Sequence, residues 1–138
     1  MSYTVLLVDD EPNVLDGLQR ALRKEPYLIL TATSAEMALE ILRTRAVDLV
    51  VSDYEMPGMP GTTFLAQVQQ EFPEIVLFLL TGKATLEVAI QAINDGAISH
   101  FFTKPCDTAA LAFTIGQTLQ QRTLLAAGKQ LVPGEKHP

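Results

Sequence analysis

The stretch VVSDYEMPGMPG, residues 50–61, carries an apolar run into a carboxylate and then stops. Leu49, Val50 and Val51 are branched aliphatics of the kind that fill a strand covered on both faces. Asp53 closes that run, and the prolines and glycines from Pro57 to Gly61 break regular structure just beyond it. Desolvating a carboxylate at the end of a buried strand is costly. Asp53 therefore needs a use.

The same pattern recurs on either side of it. Short, nearly continuous apolar runs at residues 5–8, 28–30, 49–51, 75–80 and 98–102 read as five buried strands. Segments with helical spacing alternate with them. Residues 13–24 place Val14, Leu15, Leu18, Ala21 and Leu22 on one stripe, and 35–43 do the same with Met37, Ala38, Ile41 and Leu42 behind an N-cap Ser34. Residues 63–71 and 85–95 follow, the second with Gly96 as its C′ residue. A last helix, capped by Asp107, runs through Leu111, Ile115 and Leu119 to about residue 127, with Gly128 as its end. Strict βα alternation predicts an α/β fold, a doubly wound five-stranded parallel sheet with helices on both faces. The expected organisation is one domain over residues 1–127, then a loose tail or linker start over 128–138.

Composition bounds the function. The chain has 138 residues, a net charge of −6 and only scattered Lys and Arg, which argues against phosphate-backbone binding to nucleic acid and against an anionic membrane surface. One cysteine, Cys106, excludes an internal disulfide and a multi-cysteine zinc site. The N-terminus lacks a basic n-region and no apolar stretch is long enough to span a bilayer, so the expected location is the cytoplasm.

In a doubly wound sheet all strands point their carboxyl ends at one edge, where ligands bind. The first strand delivers Asp9, Asp10 and Glu11 there, the third Asp53, the fourth Thr81 and the fifth Lys104. Crowded carboxylates repel one another unless a cation sits among them. Oxygen donors of this kind suit a hard dication, Mg²⁺ above all, with Mn²⁺ as a substitute. Asp9 and Asp10 then hold the metal while Asp53 offers an oxygen as nucleophile towards phosphorus. Lys104 balances phosphoryl charge and Thr81 donates a hydrogen bond.

At these positions the sequence resembles the receiver domain of two-component response regulators, in its chemotaxis-regulator-like form. The resemblance rests on LLVDDEP, VVSDYEMPGMPG, FLLTGKA and FFTKP in that order, within residues 3–125. It implies a flavodoxin-like sheet of order 2-1-3-4-5. It also implies phosphorylation of Asp53 by a histidine kinase, a phosphotransfer protein or a small phosphodonor. Mg²⁺ would lie on Asp9, Asp10, Asp53 and the backbone carbonyl of Glu55. Thr81 and Phe101 would act as the conformational switch, Phe101 without the hydroxyl of the tyrosine common there. Glu55 and Lys83, flanking the site, would tune loss of the phosphoryl group. The output surface would be the fourth helix, fifth strand and fifth helix, roughly residues 84–127, serving an effector or a homodimer. Such a module is a switch, not an enzyme; it accepts and sheds its own phosphoryl group. The segment LLTGKATLEVAIQAINDGAISHFFTKP further resembles receivers joined to HD-GYP-type cyclic-di-nucleotide phosphodiesterases.

Other readings stand beside this one. Asp9 and Asp10 also suit N-caps of the first helix. Cys106 reads as a partly buried structural thiol, and His100 lacks a second ligand nearby. A phosphorylation-independent binding receiver remains an alternative. An Mg²⁺-dependent aspartyl-phosphate hydrolase of the haloacid-dehalogenase type is a more distant one, since Glu55 stands where that family has a second Asp. A flavodoxin-like cofactor binder would need a phosphate loop where DDEPN stands.

Overall fold

A computed structural model describes residues 2–82 and 85–131. Ten elements alternate: β1 Tyr3–Val8, α1 Pro12–Leu22, β2 Tyr27–Ala32, α2 Ala35–Thr44, β3 Leu49–Asp53, α3 Gly61–Glu71, β4 Val76–Thr81, α4 Leu86–Asn94, β5 His100–Thr103 and α5 Thr108–Leu131. All strand pairs are parallel and their order is β2-β1-β3-β4-β5. This is the expected doubly wound, flavodoxin-like sheet.

Alternation along each strand makes two cores. Leu6, Val8, Val50, Leu77 and Leu79 face α2, α3 and α4, packing with Leu39, Phe64, Val68 and Ala89. Val5, Leu7, Leu49, Val51, Phe78 and Leu80 face α1 and α5, packing with Leu15, Leu18, Leu111 and Ile115. Both faces of β1, β3 and β4 are thus largely apolar, so residues 5–8, 49–51 and 76–80 run without polar interruption. The edges differ from expectation. Leu28 of β2 is half-exposed and β5 has no fully buried residue, because an edge strand is covered less completely than a central one.

Local chemistry explains several helix ends. Ser34 accepts the Met37 amide and Asp107 accepts those of Ala109 and Ala110, as their N-cap positions predict. Gly96 adopts φ +77 after α4. At Gly61, a Cβ would lie 2.6 Å from the Tyr54 carbonyl oxygen, so only glycine lets the β3–α3 loop fold back onto the strand end. Among the boundaries that move, two are informative. Ile98 is buried but precedes β5, its amide bonding to the Ala92 carbonyl at the end of α4 instead of to the sheet. The last helix continues past Gly128 to Leu131, since one glycine costs a helix only about 1 kcal/mol and no proline follows until Pro133.

Candidate functional site

The register brings the polar strand ends together. Val8 pairs with Ser52, Asp53 with Leu80 and Thr81 with Thr103, so Asp9, Asp53, Thr81 and Lys104 emerge at one edge. Backbone bonds extend the sheet by one residue there. The Asp9 amide donates to the Ala32 carbonyl, Tyr54 to Leu80 and Lys104 to Thr81, at 2.9–3.1 Å.

Asp9 is fully buried and Asp53 is 6% exposed. Each divides its two oxygens in the same way. Asp9 Oδ1 accepts the Glu11 amide at 2.9 Å and Oδ2 accepts Lys104 Nζ at 3.0 Å. Asp53 Oδ1 accepts the Glu55 amide at 3.2 Å, while Oδ2 lies 3.1 Å from the same ammonium. Lys104 thus bridges the first and third strands. Asp10 completes the cluster, with one oxygen of each of Asp9, Asp10 and Asp53 lying within 4.8 Å of the others.

The electrostatics follow from this crowding. Burial pushes the Asp53 carboxyl above the usual carboxylate range; Asp9 adds to the rise, and Lys104 and the Glu55 amide oppose it. Burial works against the Lys104 ammonium, but hydrogen bonds to Asp9 and Asp53 hold its pKa above the usual lysine value. One cation thus meets two of the three clustered carboxylates. Oxygen-only donors left short of positive charge are what a hard dication takes, so the residues fit Mg²⁺.

The other sequence candidates separate. Thr81 is fully buried, but among the described residues its hydroxyl makes no hydrogen bond to the carboxylates: it meets the Thr85 hydroxyl and lies 3.2 Å from the Gly82 carbonyl. The Glu55 side chain is exposed and reaches over Gly82, Oε1 lying 3.7 Å from the position of a Cβ there. Lys83 lies outside the described residues. Phe101 is partly buried against the core on the α2, α3 and α4 side. His100 packs edge-on against Phe78, with centroids 5.0 Å apart, which is aromatic packing and not ligation. Cys106 is partly buried, and burial pushes its thiol up. Neither Asp9 nor Asp10 caps α1; that helix starts from Glu11 with no side-chain cap, because Asp9 spends its oxygens on the Glu11 amide and on Lys104. Thr85 and the backbone amides of Glu11 and Glu55 were not singled out by their sequence. A hydroxyl four residues after Thr81, at the start of the next helix, was the one available signal.

Comparison with known proteins agrees with this geometry. Residues 5–115 match the response regulator receiver domain family. The transcriptional regulatory protein GlrR of Escherichia coli is 38% identical over 117 residues, covering 85% of this chain and 26% of that protein. The hydrogenase transcriptional regulatory protein HoxA of Cupriavidus necator is 35% identical over 121 residues, covering 88% of this chain and 25% of that one. The signal receiver domain of an HD domain-containing protein from Pseudomonas fluorescens superposes with a TM-score of 0.82 at 36% identity, over 89% of this chain and 98% of that domain. A sheet edge carrying a lysine-bridged aspartate pair, in a chain matched over most of its length, places this protein among the receiver domains of two-component response regulators. The chain spans about a quarter of the length of these two curated relatives.

Proposed function

We propose that the chain is a phosphorylation-activated switch whose acceptor is Asp53. The observation that carries this reading is the Lys104 ammonium held 3.0 Å from Asp9 and 3.1 Å from Asp53 on a buried sheet edge. An oxygen of Asp53 attacks the phosphorus of a phosphohistidine on a kinase or phosphotransfer protein, or of a small acyl phosphate. The Asp53 O–P bond forms as the donor's P–N or P–O bond breaks, and the electron pair leaves with the donor. The Glu55 amide orients Asp53 through Oδ1. Lys104, already on Oδ2, would follow charge onto the phosphoryl oxygens, and Thr81 would donate to one of them once its hydroxyl leaves Thr85 and Gly82. Mg²⁺, held by Asp9, Asp10, Asp53 and the Glu55 carbonyl, would neutralise phosphoryl charge when bound, and Mn²⁺ would substitute. Glu55 and Lys83 would regulate the access of water. Each molecule turns over only its own phosphoryl group, so the chain is a switch rather than an enzyme.

The output face is assigned to α4, β5 and α5. Ile90 and Ile93 of α4 and Phe113 of α5 are large apolar side chains left 46%, 37% and 68% exposed, as a surface awaiting a partner would be. The relatives' names point to effectors controlling transcription, and the Pseudomonas neighbour to one carrying an HD domain. An effector domain, an effector protein or a second copy would dock there, with Phe101 repacking beneath it. No described helix is long and apolar enough to cross a membrane, and the cytoplasm is the proposed location.

Intact-mass spectrometry after incubation with acetyl phosphate and Mg²⁺ tests this reading. One phosphoryl group should add, and EDTA should prevent it. A folded protein that gains no mass would leave only a phosphorylation-independent binding role.

A further inference from the structure

The hydroxyl of Thr81 is bonded outside the carboxylate cluster. It lies 3.2 Å from the Gly82 carbonyl and meets the hydroxyl of Thr85. Thr85 turns to the same carbonyl, its hydroxyl at 3.3 Å and its amide at 3.2 Å. Two threonines four residues apart therefore gather on one oxygen at the end of β4. Among the described residues, no hydrogen bond joins the Thr81 hydroxyl to Asp9, Asp53 or Lys104.

Thr85 is also the N-cap residue of α4, where a threonine hydroxyl ordinarily accepts an amide of the first helical turn. It makes no such bond here. Its backbone, at φ −114 and ψ 14, is not in the extended conformation that capping requires. Its hydroxyl is spent on Thr81 and Gly82 instead. A cap position that forgoes its own helix to hold a neighbouring side chain indicates what that hydroxyl does.

We propose that Thr85 is a positioning residue that holds the Thr81 hydroxyl in its resting orientation, away from Asp53. This rests on the phosphoryl-acceptor reading above. Thr81 has one hydroxyl proton, and to donate it to a phosphoryl oxygen it must leave Thr85 and Gly82. The pair therefore sets a bias against the engaged orientation. It also ties that orientation to the start of α4, the first element of the proposed output face. When Thr81 leaves, the Thr85 hydroxyl keeps the Gly82 carbonyl as its partner and loses the one contact that links it to Thr81.

Thr85→Val keeps the branched shape and removes the hydroxyl. Losing one hydrogen bond of ordinary net strength from the resting state alone should speed phosphorylation by acetyl phosphate and Mg²⁺ about fivefold. Thr85→Ser, which restores a hydroxyl, should return the rate to near the parent value. In a Thr81→Ala background, checked for folding by circular dichroism and replaced by Thr81→Val if unfolded, Thr85→Val should change nothing. A purely structural threonine would lower the melting temperature without raising the rate. An unchanged or slower rate in Thr85→Val, or an acceleration that survives without the Thr81 hydroxyl, would overturn the inference. Failure of the parent protein to take up a phosphoryl group would overturn the acceptor reading itself, and the parent reaction alone shows that before any variant is compared.

Discussion

Replacing Lys104 with methionine keeps most of the stem and removes the one ammonium that two buried carboxylates share. Lys104 Nζ lies 3.0 Å from Asp9 Oδ2 and 3.1 Å from Asp53 Oδ2, and those side chains are 0% and 7% exposed. Breaking a buried pair by removing one partner costs about 3–5 kcal/mol. The lysine side chain itself is 27% exposed, which places the loss near the lower end, about 3 kcal/mol. For a domain of this size that is a fall in melting temperature of roughly 10 °C. The sign with pH follows from Asp53, whose carboxyl already sits above the usual range through burial, with Asp9 adding to it and Lys104 opposing. Without Lys104 its folded pKa rises further above the unfolded one. Such a group binds more protons folded than unfolded, so stability is lost as pH rises through the window between the two values and is retained below it. The deficit of Lys104→Met should therefore be largest at neutral pH and shrink towards about pH 4. Thermal melts in EDTA at neutral pH and near pH 5, followed by circular dichroism, measure both effects. A variant that melts with its parent at neutral pH, or whose deficit grows on acidification, would refute the reasoning.

Four further outcomes follow from the same geometry. In EDTA, Asp10→Asn should raise stability by up to about 1 kcal/mol, because it removes one of three clustered like charges, and it should weaken the Mg²⁺-dependent rise in melting temperature expected of the parent. Phe64→Ala, at a side chain 1% exposed in the core beneath α3, should cost about 3–5 kcal/mol in urea unfolding. Gly61→Ala should destabilise by about 1–3 kcal/mol, since its methyl carbon would meet the Tyr54 carbonyl, and the midpoint of the same titration reads it. Asp107→Ala removes the acceptor for two amides of α5 and should cost about 1 kcal/mol.

The central strands were legible because β1, β3 and β4 are covered on both faces, and a strand so placed can be written almost wholly in Leu, Val and Ile. The site was legible for a related reason. Polar residues that interrupt such runs at their carboxyl ends must share one sheet edge, so Asp9, Asp53, Thr81 and Lys104 could be grouped without coordinates. The edges were harder. Leu28 and Ile98 look like core strand residues, yet one is half-exposed on β2 and the other is buried outside β5, because apolarity reports burial and not hydrogen-bond pairing. The continuation of α5 past Gly128 shows that a C-cap glycine is read correctly only where the chain turns, as it does at Gly96 and not at Gly128.

Within the site, residue types were legible and hydrogen-bond partners were not. The division of Asp9 between Lys104 and the Glu11 amide, and of Asp53 between Lys104 and the Glu55 amide, depends on backbone direction in two loops. Nothing in the residue pattern encodes it. Thr85 was hidden for a similar reason, since a threonine at a helix start reads as a cap until its hydroxyl is seen on Thr81 instead.

The central claim is that the carboxylate of Asp53 itself becomes the phosphoryl carrier. Borohydride reduces an acyl phosphate to the alcohol and leaves free carboxylates intact. After treatment with acetyl phosphate and Mg²⁺, reduction and proteolysis, peptide mass spectrometry should find homoserine in place of aspartate at position 53. Asp9 and Asp10 should be recovered unchanged. Homoserine at either of those positions, or at none of the three in protein that has gained a phosphoryl group, would contradict the account.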